Sequence, residues 1–522
     1  MLMQPLDRQE SKIMMKIRKS FRSPLISMTL ALMIFSTTSC NLVPDYKRPD
    51  ASISQQWPMG PAYGPPLPKD SNLPQAYNVG WKVFFRDPVL SELISMALAN
   101  NRDLREAIEN ITASHASYMR QRGDLFPTVN YSAGASYQTS PGKTLGGMRG
   151  YTHWNQLSTG FGVSNYEIDI FDHVRSLTKA ARESYLQQVE STLSVQISLI
   201  SEVANTYMAW LADCDSLRTV QESLHNRERN LQLIQGMHTY GQQNAQAVAQ
   251  ATELLQEARS QEQVYQKTVA NDLNSLTLLI GQPIPQSVLQ KAGPNPSLDN
   301  FVSMPEVASG MPSDLLERRP DILLAEHQLK EANANVGYAR AAFFPSIQLT
   351  TSGSTAGATF AQMFGPYSAA YTFMPKITVP VIDEGQNLAQ LRTAKAKVRA
   401  AAAHYQKVIQ SSFKEVADAL AARTTLKEKW KAESDNVKAS QTDYRLSYAR
   451  FRNGIDSYIS TLTAQRTLLT AQVSSIQARL QYMQSLSTLY RTLGGGWSAE
   501  NAFQTYQSNG KKLNTQVDKS KQ

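Results

Sequence analysis

The sequence repeats itself at a separation of roughly 210–220 residues. Residues 100–129 (NNRDLREAIENITASHASYMRQRGDLFPTV) resemble residues 317–347 (ERRPDILLAEHQLKEANANVGYARAAFFPSI), and Glu202-Val203-Ala204-Asn205 resembles Glu415-Val416-Ala417-Asp418. A length of 522 residues would ordinarily suggest about three domains. Because a duplicated sequence builds the same supersecondary unit twice, the repeat predicts two equivalent halves instead.

Two long stretches, at 174–279 and 386–493, contain no proline and almost no glycine. The first contains only Gly236 and Gly241, and the second only Gly454. Glycine adopts the positive φ that a reversal between two helices needs, so each stretch predicts a pair of helices joined at Gly241 or Gly454. The first helix of each pair would have roughly 65–70 residues and a length on the order of 100 Å.

Apolar residues along these helices recur at steps of three and four, as in a coiled coil. They are Leu186, Val189, Leu193, Ile197, Ile200, Ala204, Tyr207 and Leu211 in the first half, and Val398, Ala402, Tyr405, Ile409, Phe413, Val416 and Leu420 in the second. This pattern predicts that the helices pack against one another along their length.

Four segments alternate between apolar and polar residues, at 128–138, 157–170, 346–353 and 372–382, and aromatic residues cluster at their ends. Such segments are typical of transmembrane β-strands, with glycine-rich outer loops at 141–150 and 354–366. Four strands cannot close a barrel, and an open sheet edge is not tolerated in lipid, so the chain must assemble with copies of itself. The strand count alone leaves two copies, with eight strands, and three copies, with twelve, as alternatives.

The N-terminus has the features of a secretory signal peptide, predicted at 1–39. Basic residues at 16–19 precede an apolar stretch at 25–35 and small residues at 36–39, which lead to Cys40. This order predicts acylation of Cys40, although Thr37 stands where leucine is preferred; the alternative is an ordinary signal peptide with an incidental cysteine. The translation start is open within the first 15 residues.

We divide the mature chain by composition and by the repeat. Residues 40–87, rich in proline, glycine and serine toward their start, are predicted to be an extended, lipid-anchored arm. Repeat 1 covers 88–300 and repeat 2 covers 301–497, each with a helix, two strands and a long helical hairpin. A polar tail follows at 498–522.

Several function classes are disfavoured by the sequence. The net charge of +9 is concentrated in the leader and the tail, so nucleic-acid binding is not predicted. The seven histidines are scattered and no hydrolase, zinc or phosphate-loop motif occurs, so we predict no enzymatic activity and no cofactor beyond the covalent lipid on Cys40. Asp169 with Asp172 is interpreted as a helix start. The arginine pair Arg318-Arg319 is interpreted in the same way, because Pro320 suits a first helical turn and Asp321 suits a helix N-terminus. Cys214 lies on the apolar stripe and is predicted to be a small buried residue.

Four motifs resemble the TolC family of outer-membrane channels, in its lipoprotein branch that serves resistance–nodulation–division (RND) efflux pumps. They are CNLVPDYKRP at 40–49, GMPSDLLERRPDI at 310–322, AAFFPSI at 341–347 and LGGGW at 493–497. The resemblance implies an α+β membrane protein: a trimeric 12-stranded outer-membrane β-barrel, four strands per protomer, continuous with a long periplasmic α-helical coiled-coil barrel. It implies a homotrimer, anchored in outer-membrane lipid, that works with a periplasmic adaptor and an inner-membrane RND transporter to export drugs or other small amphiphiles passively.

The resemblance also suggests which residues carry function. Gly241 and Gly454 would lie at the hairpin tips where the adaptor docks. Past the second tip, Ile459 matches a periplasmic constriction residue, Arg466 matches its basic partner, and Asp456 is the nearest acid. The positions where relatives place a ring of carboxylates are Ser460 and Thr463. We therefore expect closure by Ile459 and hydroxyl contacts, with Arg466 hydrogen-bonded to a neighbouring helix; the alternative is that Ser460 and Thr463 are only wall residues.

Three other functions compete with the efflux channel. The same channel could serve an ATP-driven exporter, which the neighbouring genes would reveal. A periplasmic adaptor or structural coiled-coil lipoprotein would have one hairpin and no barrel strands, against the duplication found. An envelope hydrolase would need a nucleophile and base that the sequence lacks.

Overall fold

A computed structural model describes residues 41–50, 53–54, 56–63, 76–143, 149–305 and 318–495. The predicted signal peptide, Cys40, the polar tail and much of the motif at 310–322 lie outside these residues. The chain divides into two units. Unit 1 comprises Met1–Arg48, Ser114–Tyr185 and His327–Ala402, and unit 2 comprises Pro49–Ala113, Leu186–Glu326 and Ala403–Gln522.

The described residues form ten α-helices and four β-strands. The helices are α1 (Trp81–Phe84), α2 (Pro88–Asn100), α3 (Arg102–Gly123), α4 (His173–Thr239), α5 (Ala245–Ile280), α6 (Gln286–Gln290), α7 (Pro320–Ala341), α8 (Phe360–Met363), α9 (Gln386–Arg452) and α10 (Tyr458–Thr492). The strands are β1 (Val129–Lys143), β2 (Arg149–Glu167), β3 (Ser346–Gly357) and β4 (Ala369–Thr378). No helix among the described residues is both long and apolar enough to cross a membrane.

The two halves of the chain contain matching elements, as the repeat predicts. Helices α4 and α9 have 67 residues each, and their partners α5 and α10 have 36 and 35. The steps from His173 to Gln386 and from Gly241 to Gly454 are both 213 positions. A helix of 67 residues is on the order of 100 Å long, which confirms the predicted length of the first helix in each pair.

Side chains ahead of each long helix fix where it begins. The Asp169 carboxylate accepts hydrogen bonds from the backbone N–H groups of His173 and Arg175, at 2.6 and 2.7 Å. Asp383 accepts from the N–H of Asn387 at the start of α9, at 3.0 Å. Because the first N–H groups of a helix have no partner within the helix, these carboxylates supply one. The interpretation of Asp169 as a helix-start residue is confirmed.

Arg319 is a buried structural residue at the start of α7. Its guanidinium donates to the carboxylates of Asp321 and Glu415, at 2.6 and 2.8 Å, and to the carbonyl oxygen of Thr492 at 3.0 Å. Helix α7 begins at Pro320, which confirms that the arginine pair precedes a helix start. The contacts of Arg319 tie α7 to residues of α9 and α10, because a buried guanidinium needs all its donors satisfied.

The four strands of unit 1 form one antiparallel sheet in the order β1-β2-β3-β4. The strands β1, β2 and β3 extend farther into the predicted outer loops than expected, so the loop boundaries at 141–150 and 354–366 are wrong. Pro141 lies within β1, two residues before the strand ends, and it pairs with Tyr151 of β2. The fourth strand ends at Thr378, before Pro380.

The sheet exposes many aromatic side chains. Tyr131, Tyr137, Tyr151, Trp154, Phe161 and Tyr371 are each more than half exposed in the single chain. The end strands β1 and β4 pair on one side only among the described residues. An exposed aromatic sheet with two open edges matches the prediction of strands that meet lipid and other copies.

The apolar stripe predicted along the long helices is the core of unit 2. Leu193, Ile197, Ile200, Ala204, Tyr207 and Leu211 of α4 and Tyr405, Ile409 and Val416 of α9 are all buried. The stripe residues of α4 from Ile200 onward and those of α9 cluster with Leu90, Leu93 and Ile94 of α2 and with Tyr490 of α10. The ring of Tyr490 stacks on Phe84 at 3.9 Å. Cys214 is only half-buried, and burial together with neighbouring carboxylates raises the pKa of its thiol to about 12.

Candidate functional site at the hairpin tips

Both long hairpins reverse at a glycine with the same backbone geometry. Gly241 has a φ of 74° and Gly454 a φ of 71°. The next residue after each glycine donates its N–H to a carbonyl five residues earlier, Gln242 to Met237 at 2.8 Å and Ile455 to Arg450 at 3.0 Å. This is the Schellman arrangement, which requires a left-handed residue. A Cβ would meet open space at both positions, so the backbone conformation alone explains these glycines.

The two tips pack against each other through a small apolar cluster. It consists of Ile234, Ala247 and Ala251 from the first hairpin and Phe451, Tyr458 and Leu462 from the second. The rings of Phe451 and Tyr458 lie 5.1 Å apart. Burial raises the pKa of Tyr458 to about 12, so its hydroxyl stays neutral. Sequence reasoning missed this cluster, although apolar residues on both sides of each glycine were the available signal.

Outside the cluster, each tip exposes a large side chain of its own. Tyr240 is 83% exposed beside Gly241, and Ile455 is 62% exposed beside Gly454. Large apolar side chains at a free helical turn are the kind of residue that a partner protein covers.

The residues proposed for the constriction lie on the first turns of α10. Ile459, Ser460, Thr463 and Arg466 are all exposed in the single chain. Ile459, Thr463 and Arg466 stand at positions i, i+4 and i+7, so they share one face of the helix. A single chain therefore contributes one such helix face. A closed constriction would need the same face from other copies.

Arg466 makes an ion pair within its own chain. Its guanidinium lies 3.8 Å from a carboxylate oxygen of Glu257 on α5, which is too long for a hydrogen bond. The other oxygen of Glu257 lies 3.5 Å from the guanidinium of Arg227 on α4, which also donates to the carbonyl oxygen of Leu254 at 2.6 Å. Burial lowers the pKa of Arg227, and Glu257 counters this effect. Sequence reasoning missed Arg227 and Glu257, because nothing local links residues so far apart in the chain.

Asp456 is engaged in the turn of the second hairpin. Arg450 donates two hydrogen bonds to its carboxylate, at 2.6 and 2.9 Å. Hydrogen bonding from Arg450 holds the pKa of Asp456 below its ordinary value. The acid expected near the mouth is thus paired with Arg450 in the last turn of α9, and this pair bridges the reversal at Gly454.

A pair of carboxyl groups lies farther from the tips, inside unit 2. Asp213 of α4 is hydrogen-bonded to Asp272 of α5 and to Gln477 of α10, and Asp213 is buried. Burial and the neighbouring Asp213 raise the pKa of Asp272 to about 7. Asp272 itself is half-buried. Two carboxyls this close share a proton, because both cannot ionise cheaply. Sequence reasoning missed this pair as well.

No group of three or more His, Cys, Asp or Glu side chains is placed to hold a metal ion within the part of the chain that the structure describes. The tip geometry offers exposed surfaces for partner proteins and a helix face for contact between copies.

Comparison with known proteins connects this architecture to one family. The family model described as "Outer membrane efflux protein" matches twice, at residues 93–282 and 311–495, so both halves of the repeat are recognised separately. Two relatives from Pseudomonas putida are 42% identical over 471 residues, which is 90% of this chain and 95% of each relative. They are the antibiotic efflux pump outer membrane protein ArpC and the toluene efflux pump outer membrane protein TtgC.

A solved structure agrees with the sequence comparison. The open state of the MtrE outer membrane channel of Neisseria gonorrhoeae has a TM-score of 0.78 and 32% identity to this chain, covering 88% of this chain and 98% of MtrE. The similarity extends over the sheet and the long helical hairpins together.

Proposed function

Because this chain belongs to the outer membrane efflux protein family, we propose that it conducts drugs or other small amphiphiles passively from the periplasm to the exterior. It is the outer-membrane channel component of an efflux system. The predicted fold class is confirmed, namely that of the trimeric outer-membrane channels with a β domain, a long α-helical barrel and an internal duplication. The proposal rests mainly on one observation: the chain has an open four-stranded sheet and two matched helical hairpins.

The open edges of the sheet support assembly into a homotrimer. Unpaired N–H and C=O groups along β1 and β4 cannot be left in lipid, so β1 of one copy pairs with β4 of the next. Three copies of four strands close a 12-stranded barrel, in keeping with the fold class. In the same trimer, three copies of the Ile459 face converge on one axis and form the constriction.

The family is one of channel components and not of enzymes. We propose accordingly that the chain catalyses no reaction and needs no cofactor, apart from an acyl lipid on Cys40. The same proposal includes the division of the chain. It has a leader ending at 39, an arm over 40–87, and repeats at 88–300 and 301–497. This division is supported by the two family matches, each of which falls inside one repeat.

The substrate class follows from the names of the relatives. One relative is named for antibiotic efflux and the other for toluene efflux, so the compounds that these relatives export are chemically diverse. A passive channel lets compounds pass without binding them tightly, so we expect it to accept chemically diverse substrates. We propose an RND transporter as the energy source, with an ATP-driven exporter as the alternative.

Disrupting the gene is expected to increase susceptibility to amphiphilic antibiotics and to toluene, because the exit from the periplasm is lost. Minimal inhibitory concentrations and survival in toluene would be compared with those of a strain carrying the gene on a plasmid. Unchanged susceptibility to every compound would contradict the proposal. In the complemented strain, loss of dye efflux on collapse of the proton gradient at constant ATP supports the RND partner, whereas retained efflux supports the ATP-driven alternative.

The exposed tips support docking of a periplasmic adaptor at Gly241 and Gly454. We expect Tyr240→Cys and Ile455→Cys, labelled in intact cells with a maleimide–benzophenone reagent and irradiated, to form cross-links to an adaptor, because both side chains protrude from the tips. Val264→Cys is the matched control, since Val264 is 58% exposed but lies on α5 well away from the turn. Mass spectrometry would identify the linked protein. Equal cross-linking at Val264 would argue against docking at the tips.

A further inference from the structure

The first described residues of the chain are bound to unit 1 along their length. We call residues 41–46 the anchor strap. Lys179 of α4 donates to the side-chain oxygen of Asn41 at 3.2 Å, and the ammonium of Lys330 on α7 lies 5.2 Å from the centre of the Tyr46 ring. The anchor strap has no helix or strand of its own, so these contacts with α4 and α7 hold its position.

Helix α7 recognises the main chain of the anchor strap as well as its side chains. Arg340 donates to the carbonyl oxygen of Leu42 at 3.1 Å, and Asn333 donates to the carbonyl oxygen of Pro44 at 2.7 Å. The two donors are seven positions apart, two turns along one face of α7. Because they bind the carbonyls of Leu42 and Pro44, on either side of Val43, they fix the register in which the strap lies on the helix.

Gly337 lies between these two donors, and the chain passes directly over it. A Cβ at this position would be 2.5 Å from Cγ2 and 3.0 Å from Cα of Val43, and 2.7 Å from Oγ of Ser176 on α4. Glycine is a poorer helix former than alanine, so a glycine inside α7 is explained by the close approach that it permits. The helix thus has a notch for Val43 at the point where the strap crosses it.

We propose that the anchor strap is a docking element, and that the notch at Gly337 with Arg340 and Asn333 fixes where the lipid joins the protein. Residue 40 is bonded directly to Asn41, so the position of Asn41 beside Lys179 limits where an acyl group on Cys40 can attach. The lipid is then attached at a fixed point on unit 1, which also contains the sheet, and not through a flexible segment. The lipid part of this inference rests on the proposed acylation of Cys40, whereas docking of the strap does not.

Gly337→Ala is expected to release the strap. Trypsin cleavage after Lys47, which is exposed and directly follows the strap, would be followed on the intact protein in outer membranes. We expect cleavage roughly tenfold faster than in the wild type, the factor that corresponds to about 1.4 kcal/mol in the opening equilibrium. Gly236→Ala is the matched control, because Gly236 is also a helical glycine but its Cβ would meet nothing within 4 Å. Its cleavage rate should equal that of the wild type.

A double-mutant cycle separates the strap from the helix packing around Ser176. In a Val43→Ala background, which removes the closest strap atom, Gly337→Ala should accelerate cleavage far less than in the wild type. An equal acceleration in both backgrounds would assign the effect to Ser176 and overturn the proposal, as would a Gly337→Ala protein as resistant as the wild type. If Gly337→Ala does not fold, Asn333→Ala removes the bond to Pro44 without adding volume, and it should accelerate cleavage several-fold; no acceleration would again overturn the proposal.

Cys40→Ser distinguishes docking from acylation. Radiolabelled palmitate should enter the wild type and not the variant, while both resist trypsin equally. Label retained by Cys40→Ser would contradict acylation at Cys40 and leave the docked strap standing. Loss of trypsin resistance in Cys40→Ser would show that the lipid holds the strap, and would overturn docking through Gly337.

Discussion

Replacing Ile459 with alanine is expected to raise the conductance of the closed channel in planar bilayers by roughly tenfold or more, the change that follows when a barrier falls by about 1.4 kcal/mol. Ile459 is exposed on the face of α10 that it shares with Thr463 and Arg466. In the proposed trimer, three Ile459 side chains would meet where the chain offers no ring of carboxylates. A narrow apolar ring excludes water and ions by dewetting, and shortening each side chain widens and wets it.

The matched control for this change is Ile455→Ala. Ile455 is as exposed as Ile459, but it belongs to the turn beside Gly454 and lies outside the shared face of α10. Its replacement should leave the closed conductance unchanged, and Ile459→Leu should remain closed because the apolar volume is kept. Equal conductance in the wild type and Ile459→Ala would refute the apolar gate. Closure would then rest on other contacts, of which the Arg466–Glu257–Arg227 arrangement is the nearest.

Raising the pH from about 4 to about 8 is expected to destabilise the packing of α4 against α5, and Asp272→Asn is expected to remove this dependence. The pKa of Asp272 is raised to about 7 in the folded protein, against an ordinary value near 4. The folded state therefore keeps a proton that the unfolded chain releases. Stability is greatest below the unfolded pKa and is lost as the pH rises through about 7.

The size of this loss of stability depends on how far the Asp213–Asp272 pair is buried. We expect a loss of about 2 kcal/mol across this range, since solvent screens a half-buried pair. The nearby arginines do not supply a counter-charge to the pair, because Arg218 is paired with Asp215 and Arg479 is paired with Asp299. Burial also raises the pKa of Tyr265 and Cys214, so both stay neutral through this range.

Thermal unfolding of the purified protein in detergent at pH 5 and pH 8 would measure the dependence. Asp213→Asn should act like Asp272→Asn, and the double variant should add little, because the two side chains share one proton. Asp435→Asn is the control, since Asp435 is exposed beside Lys438 and hydrogen bonding lowers its pKa. An unfolding temperature in Asp272→Asn that varies with pH as in the wild type would contradict the shared proton.

Much of the fold was predictable because its signals are local. Proline-free stretches with glycine at one point predicted four long helices, and α4, α5, α9 and α10 have those positions. Strand limits were less accurate, because β1 continues through Pro141 and β3 runs to Gly357. Proline and glycine usually end a strand, but here Pro141 stands two residues before the end of β1 and Gly357 is the last residue of β3.

The candidate site was predictable only in part, because some of its features depend on neighbouring residues and others on the packing of helices. The conformations of Gly241 and Gly454 depend on a few neighbouring residues, and a repeat of 213 positions aligned them. The partners of the nearby charges depend on the packing of helices. Asp456 finds Arg450 within its own turn, whereas Arg466 and Arg227 converge on Glu257 from separate helices.

The sequence by itself determined the duplication, the long helices with their glycine turns, the alternating strands and the family motifs, because periodicity and backbone conformation are properties of short segments. Only the tertiary structure decided which distant residues meet. It placed Asp213 against Asp272, Val43 against Gly337, and Phe451 against Ile234. Such contacts depend on the register and distance between packed helices, to which many weak contacts contribute together, and no single residue pattern specifies them.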